Sequence, residues 1–217
     1  MINYKKNQYF KYSELSCIEK QIYYKSIYQF VMRLSLEYPN FSQWYRNLFS
    51  NNYELNSGRE IILCENNYSI IGIAILKSNE LEKKICTLQV DKNFQRQGIG
   101  AKLVEMSLEW LENDNPIITI HEAKQNEFSS LLNHYGFKLE QIQRNYYNFF
   151  STELVYNGTL PENEIVVTKI ELLDMQKLYH EFVKTGKNNF NVFMEESVYK
   201  RYMIEGSYCA YKKGFFL

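Results

Sequence analysis

From Ser13 to Leu36 apolar side chains recur at Ile18, Ile22, Ile27, Phe30, Val31 and Leu34, a helical spacing that predicts a long first helix. Ser16 and Glu19 are placed as a capping box for its start. Pro39 stops it, and Phe41, Trp44, Tyr45, Leu48 and Phe49 mark a second, shorter amphipathic helix. At Arg59 the period changes. The runs REIILCE, YSIIGIAILK and KKICTLQV are rich in β-branched residues and separated by polar turns, which predicts three consecutive antiparallel strands. From Gly98 to Glu112 a broad apolar face of Leu103, Val104, Met106, Trp110 and Leu111 returns the chain to helix. IITIHE then reads as a short buried strand, QNEFSSLLNHYGF as a helix stopped by Gly136, and FKLEQIQRNYYNFF as the completion of the sheet.

Two helices, three strands, a helix, a strand, a helix and one or two strands make an α/β layer on a mixed sheet, expected over residues 1–155. NGTLPENE carries the turn residues of a linker, expected over 156–164. Residues 165–217 read as a strand into an amphipathic helix, with a further helix over Glu195 to Ile204. So short a segment barely holds a core of its own, so this α/β extension is expected to dock on the first domain, in a role the sequence does not define.

Composition narrows the function more than the fold. The 217 residues are 45% hydrophobic, and Lys+Arg and Asp+Glu both number 25, so no net field draws a polyanion and nucleic acid is not implied. No apolar stretch approaches the length of a membrane span, and MINYKKNQYF lacks the apolar run of a signal peptide. A cytoplasmic protein that does not use a membrane is the expectation. Cys17, Cys64, Cys86 and Cys209 lie far apart without a CxxC pair, so no zinc site is read and buried, reduced thiols are expected. Phe149-Phe150 and Phe215-Phe216 are aromatic pairs that a homodimer contact or the docked tail would bury.

The chemistry concentrates at NFQRQGIGAKL, where a strand hands over to a helix. The first amides of a helix have no intrahelical partner and face outward at the positive end of its dipole. Glycines at 98 and 100 permit a tight turn and a close approach by phosphate, and Gln95, Arg96 and Gln97 add further amides. No Gly-Lys-Ser/Thr follows, which excludes a Walker A loop, and the third glycine of a dinucleotide fingerprint is absent. Taken alone, the glycine pair admits either a pyrophosphate cradle or a helix start beneath a close-packed strand.

The longer run ICTLQVDKNFQRQGIGAKLVEMSLEWL resembles motif A of the GNAT superfamily, the acyl-CoA-dependent N-acyltransferases, in its Gln95-Arg96-Gln97-Gly98-Ile99-Gly100 loop preceded by Val90. FSSLLNHYGF is similar to the family's motif B helix with its terminal Gly-Phe. The resemblance covers residues 55 to 150. It implies a mixed, mostly antiparallel sheet flanked by helices, with a splayed strand pair between the strand of Leu88 and Val90 and the strand IITIHE. The pantetheine arm would insert there, held by main-chain groups near Leu88 and Val90, while Gln95, Arg96, Gln97, Gly98, Ile99, Gly100 and Ala101 cradle the pyrophosphate. The implied reaction is direct attack of an amine, from a small molecule or a peptide, on acetyl-CoA or another acyl-CoA, with no metal.

Direct transfer asks for a base toward the amine and an acid toward the thiolate. The family's acid is commonly a tyrosine four residues before the motif B glycine, and here that position is Leu132. Tyr135 and His134 lie in the same helix; Tyr135 is the candidate acid, set against a packing role. His121 is the candidate base, set against an ordinary polar strand end. Glu80 and Glu82 could deprotonate an amine through water, set against a solvated turn; Tyr146 and Tyr147 could line the acceptor pocket from the opposite strand, set against packing; and Cys86 invites an acyl-enzyme route, against which its apolar surroundings stand. The departure at Leu132 keeps open a different class of function, a non-catalytic CoA-binding regulatory or interaction module. A toxin-like acyltransferase acting on aminoacyl-tRNA is a third reading, against which the zero net charge stands.

Overall fold

The computed structural model describes residues 7–36, 38, 41–144, 146–147 and 151–161, and beyond them 165–169, 176, 179–180, 183–184, 199–203 and 207–212. The chain divides into two compact units, Met1–Gln143 with Thr152–Leu160, and Arg144–Ser151 with Pro161–Leu217. The first unit contains β1 (Gln8–Lys11), α1 (Cys17–Val31), α2 (Phe41–Arg46), β2 (Arg59–Asn66), β3 (Ser69–Ser78), β4 (Lys83–Val90), α3 (Ile99–Leu111), β5 (Ile117–His121), α4 (Gln125–His134), β6 (Leu139–Arg144, its last residue counted with the second unit) and β7 (Thr152–Tyr156). These strands form a seven-stranded sheet in the order β1-β2-β3-β4-β5-β7-β6. The pairs β1–β2, β2–β3, β3–β4 and β5–β7 are antiparallel, and β4–β5 is parallel.

Both faces of the sheet are covered, which is why β2 and β3 read as nearly continuous apolar runs. On one face Ile62, Ala74, Ile85, Ile118, Ile120 and Leu154 pack with Ile99, Leu103, Val104 and Leu111 of α3 and Leu132 of α4. On the other, Ile61, Leu63, Ile73 and Ile75 pack with Ile27 and Val31 of α1 and Phe41 and Tyr45 of α2. At about 1.5–3 kcal/mol for each fully buried aliphatic side chain, these two layers hold the unit together.

The expected elements are present, with four corrections. A short strand, β1, precedes the first helix and pairs with β2 from Gln8↔Glu65 to Lys11↔Ile62. Helix α1 starts at the expected Ser16–Glu19 capping box, but Ile18 and Ile22 stay 73% and 61% exposed. Its inward stripe is Lys20, Tyr24, Ile27 and Val31, with Tyr24 packed edge-on to Phe49 and Tyr53, and with Lys20 Nζ 2.8 Å from a Glu54 carboxylate oxygen. Large rings bury more area than the isoleucines would. Tyr146 and Tyr147 lie after β6 rather than on a strand, Tyr146 buried and edge-on to Tyr147.

In the second unit β8 (Ile165–Lys169), β9 (Tyr199–Met203) and β10 (Ser207–Lys212) form an antiparallel sheet in the order β8-β10-β9. The helix expected over Glu195 to Ile204 is therefore a strand over Tyr199–Met203, where the tyrosines favour extended backbone. Phe149-Phe150 and Phe215-Phe216 lie outside the described residues. Among the described residues no helix is long and apolar enough to cross a membrane.

Candidate functional site

The parallel seam between β4 and β5 is short. It is paired at Lys84↔Ile117 and Ile85↔Ile118 and no further, whereas β4 stays paired with β3 up to Gly72↔Val90 and β5 with β7 through His121↔Glu153. The register of β3 on β4 shifts between Ile75↔Thr87 and Leu76↔Ile85, leaving Cys86 as the extra residue of a bulge. A bulge bends its strand and increases local twist, and this one sits where β4 and β5 part. From there Thr87–Val90 and Thr119–His121 face one another without a ladder between them. Main-chain groups inside a sheet seek partners, so the split suits an extended, amide-bearing ligand.

At its open end the chain turns into α3. Asp91 fixes the turn: its N–H donates to the Ile71 carbonyl at 2.8 Å, and its side chain accepts from Asn93 N–H at 2.9 Å. Arg96 and Gly98 both have left-handed backbone, with φ of 61° and 81°. The first bond of α3 runs from Lys102 N–H to the Gly98 carbonyl at 3.0 Å. Among the described residues, the main-chain N–H groups from Gln95 to Ala101 donate to nothing. Alternating backbone hands and free amides at a helix N-terminus form an anion-binding concavity.

The glycines act differently here. A Cβ on Gly98 would meet no heavy atom within 4 Å, so the backbone hand, rather than crowding, calls for glycine. A Cβ on Gly100 would make ordinary contacts, 3.6 Å from Leu131 and 3.9 Å from Val90. The crowded glycine is Gly72 of β3, where a Cβ would lie 2.9 Å from Ile99 Cγ2 and 3.1 Å from Leu103 Cδ1. Gly72 thus lets the first turn of α3 press against the sheet beside Val90. The buried side chain of Ile99 anchors that turn, and the Gln95 side chain ties the loop to α4 by donating to Glu127 Oε1 at 2.8 Å. Arg96 is exposed, and Lys102 pairs with Glu105 at 2.9 Å.

Tyr135, His121, Cys86 and Glu82 are already engaged. Leu132 is 1% exposed, and the turn after it is fixed by Phe137 N–H on the Leu132 carbonyl at 2.9 Å, with Gly136 at φ 73°. The Tyr135 hydroxyl donates to the Ala101 carbonyl at 2.8 Å, clamping α4 on the first turn of α3; burial, and then the charge of Glu105, raise its pKa. His134 is exposed, edge-on to Tyr135. His121 Nδ1 accepts the Ala123 N–H at 3.1 Å, which in the neutral ring leaves the proton on Nε2. Arg59 donates to Cys86 Sγ at 3.6 Å, yet burial outweighs the neighbouring cations Lys84 and Arg59 and pushes the thiol pKa up. Burial would raise the Glu82 carboxyl, but the Lys77 hydrogen bond and the charges of Lys84, Lys77 and Arg59 hold it below its usual value. Glu80 is exposed.

Residues 35–149 match the family model of the acetyltransferase (GNAT) domain. The chain belongs to the GNAT family. No curated protein matches it by sequence. Among solved structures, a putative GNAT acetyltransferase from Desulfovibrio desulfuricans is similar at 10% identity and a TM-score of 0.53, covering 70% of this chain and 97% of its own. The ribosomal-protein-S18-alanine N-acetyltransferase from Escherichia coli is similar at 18% identity and a TM-score of 0.50, covering 73% and 99%. These likenesses show the fold. It is the GNAT sheet, mostly antiparallel and flanked by helices.

Three residues near this candidate site carry only weak signals in the sequence. Gly72 interrupts the apolar run SIIGIAILKS, a signal of close backbone approach. Thr119 is a polar residue within IITIH, and its hydroxyl oxygen is buried with no hydrogen-bond partner among the described residues. Glu153, 0% exposed, stands opposite His121 across the β5–β7 pair, a single carboxylate in TELVY.

Proposed function

We propose that this GNAT protein transfers the acetyl group of acetyl-CoA to an amine of a small molecule or peptide by direct attack, in the cytoplasm. What supports this most is one observation: the β4–β5 split opens at the Cys86 bulge and ends at the unbonded amides of Gln95 to Ala101. A pantetheine arm is an extended chain with two amides, and it would complete the ladder that β4 loses beside Leu88 and Val90. Each such bond is worth about 0.5–1.5 kcal/mol net. The diphosphate would take the amides of Gln95, Arg96, Gln97, Gly98, Ile99, Gly100 and Ala101 at the positive end of α3. In this reading Tyr135 positions that loop through Ala101, and His121 presents Nε2–H toward the cleft unless Ala123 releases it.

A CoA-binding module without chemistry is the second reading, favoured by the burial of Leu132 where the family's tyrosine would donate. One experiment addresses both. Calorimetry with CoA on wild type and on Gly98→Val and Gly100→Phe, each checked for folding by circular dichroism, is followed by thiol release from acetyl-CoA over a panel of amines, peptides and aminoglycosides. Saturable binding lost in both variants, with thiol release above hydrolysis, is the expected result. Folded wild type that takes up no CoA refutes the proposal; binding without release for any acceptor favours the module.

A further inference from the structure

An acyl transfer of this kind benefits from a hydrogen-bond donor at the departing sulfur, and the position usual for it carries Leu132. Three of the other donors near the head of the split are committed. Tyr135 serves Ala101, the Gln89 amide donates to the Phe30 carbonyl at 3.0 Å, and Arg59 reaches Cys86. Thr119 offers a hydroxyl that is buried there with no partner among the described residues.

Thr119 is the first β5 residue past the last β4–β5 pair, Ile85↔Ile118. Side chains alternate along a strand. Ile118 and Ile120 point into the α3–α4 core, so Thr119 shares the opposite face with His121. That is the face on which Gln89 of β4 meets the end of α1, and where Thr87 stands on β4 beyond the bulge, opposite Ile75 of the α1–α2 core. The Thr119 hydroxyl is therefore at the head of the split, on the side away from α3, buried and unmatched. Buried hydroxyls are ordinarily hydrogen-bonded, and one without a partner calls for an explanation.

We propose that the Thr119 hydroxyl donates a hydrogen bond to the sulfur of the bound thioester and stabilises the thiolate as it leaves. The proposal rests on the acetyl-CoA reading above. In the step, the amine nitrogen bonds to the acyl carbon and the carbon–sulfur bond breaks with its electron pair on sulfur. The nitrogen loses a proton to solvent, sulfur gains one from solvent, and Thr119 keeps its own.

The test titrates the thiol of CoA bound to the protein, by thiolate absorbance against pH, in wild type, Thr119→Ser and Thr119→Val. A donor to the thiolate depresses the pKa of the bound thiol. Thr119→Val is expected to bind CoA within about threefold of wild type, to raise the bound-thiol pKa by about one unit, equal to tenfold less thiolate at a given pH, and to slow thiol release from acetyl-CoA at least about tenfold. Thr119→Ser is expected to restore both. If Thr119→Val binds CoA and titrates as wild type does, the proposal is overturned while the acetyl-CoA reading stands. If folded wild type binds no CoA, the broader reading has failed. Thr119→Ala replaces the valine variant should the latter not fold.

Discussion

Replacing Gly72 by alanine tests the link between sheet packing and the anion loop. The new methyl would lie 2.9 Å from Ile99 Cγ2, 3.1 Å from Leu103 Cδ1 and 3.3 Å from Cys64 Cβ. Ordinary carbon contacts begin near 3.5 Å, so three neighbours must yield by a few tenths of an ångström at once. Two of them belong to α3, whose first turn carries the free amides. Overpacking of this kind costs about 1–3 kcal/mol, which for a chain of this size lowers the melting temperature by about 2–12 °C. A displaced first turn also misplaces the amides, so affinity for CoA should fall about tenfold. Gly100→Ala is the control, because its methyl fits at 3.6 Å from Leu131, and it should leave the melting temperature within about 2 °C of wild type. Ile99→Leu, which removes the clashing γ2 methyl, should recover part of the loss when combined with Gly72→Ala. Thermal unfolding and calorimetry read both quantities. If Gly72→Ala melts and binds CoA as wild type does, the reasoning from close approach is wrong.

Two further outcomes are expected. Tyr135→Phe removes the bond to the Ala101 carbonyl and should weaken CoA binding about twofold to thirteenfold, as about 0.5–1.5 kcal/mol implies, without removing an acid limb from the pH–rate profile; loss of that limb would make Tyr135 the acid instead. The Glu82 carboxyl is held below its ordinary 4.5 in the folded protein, so its stabilising effect is complete above that pH and is lost as pH falls through the lower folded value. Glu82→Gln should therefore cost up to about 1 kcal/mol in urea unfolding at pH 7, with the difference from wild type vanishing in acid; a difference that persists there would assign the loss to packing.

The sheet was readable in the residues where local pattern and tertiary role agree. Strands β2 to β4 announce themselves by β-branched runs, and the α3 loop by Gly98, whose left-handed backbone few other residues adopt. The α4 stop at Gly136 was equally plain. Elsewhere tertiary packing decided. β1 is four residues of mixed character and gains its place from β2. The buried stripe of α1 runs through tyrosines and Lys20, because the aromatic cluster around Tyr24 and Tyr45 outcompetes Ile18 and Ile22. The side chains that bear on chemistry were the least legible. Whether Tyr135 faces sulfur or the Ala101 carbonyl, and whether Thr119 is buried at a seam, depends on neighbours distant in the chain.

The insertion of β7 between β5 and β6 governs the order in which this molecule can be assembled. β5 has two paired positions on β4 but four on β7, and β7 is synthesised after α4 and β6. A nascent chain can close the meander of β1 to β4 and lay α3 on it while β5 still lacks its principal neighbour. The slot between the two halves then comes into being with the last strand of this seven-stranded sheet to leave the ribosome, and a chain that stops short of it presents no half-built pocket.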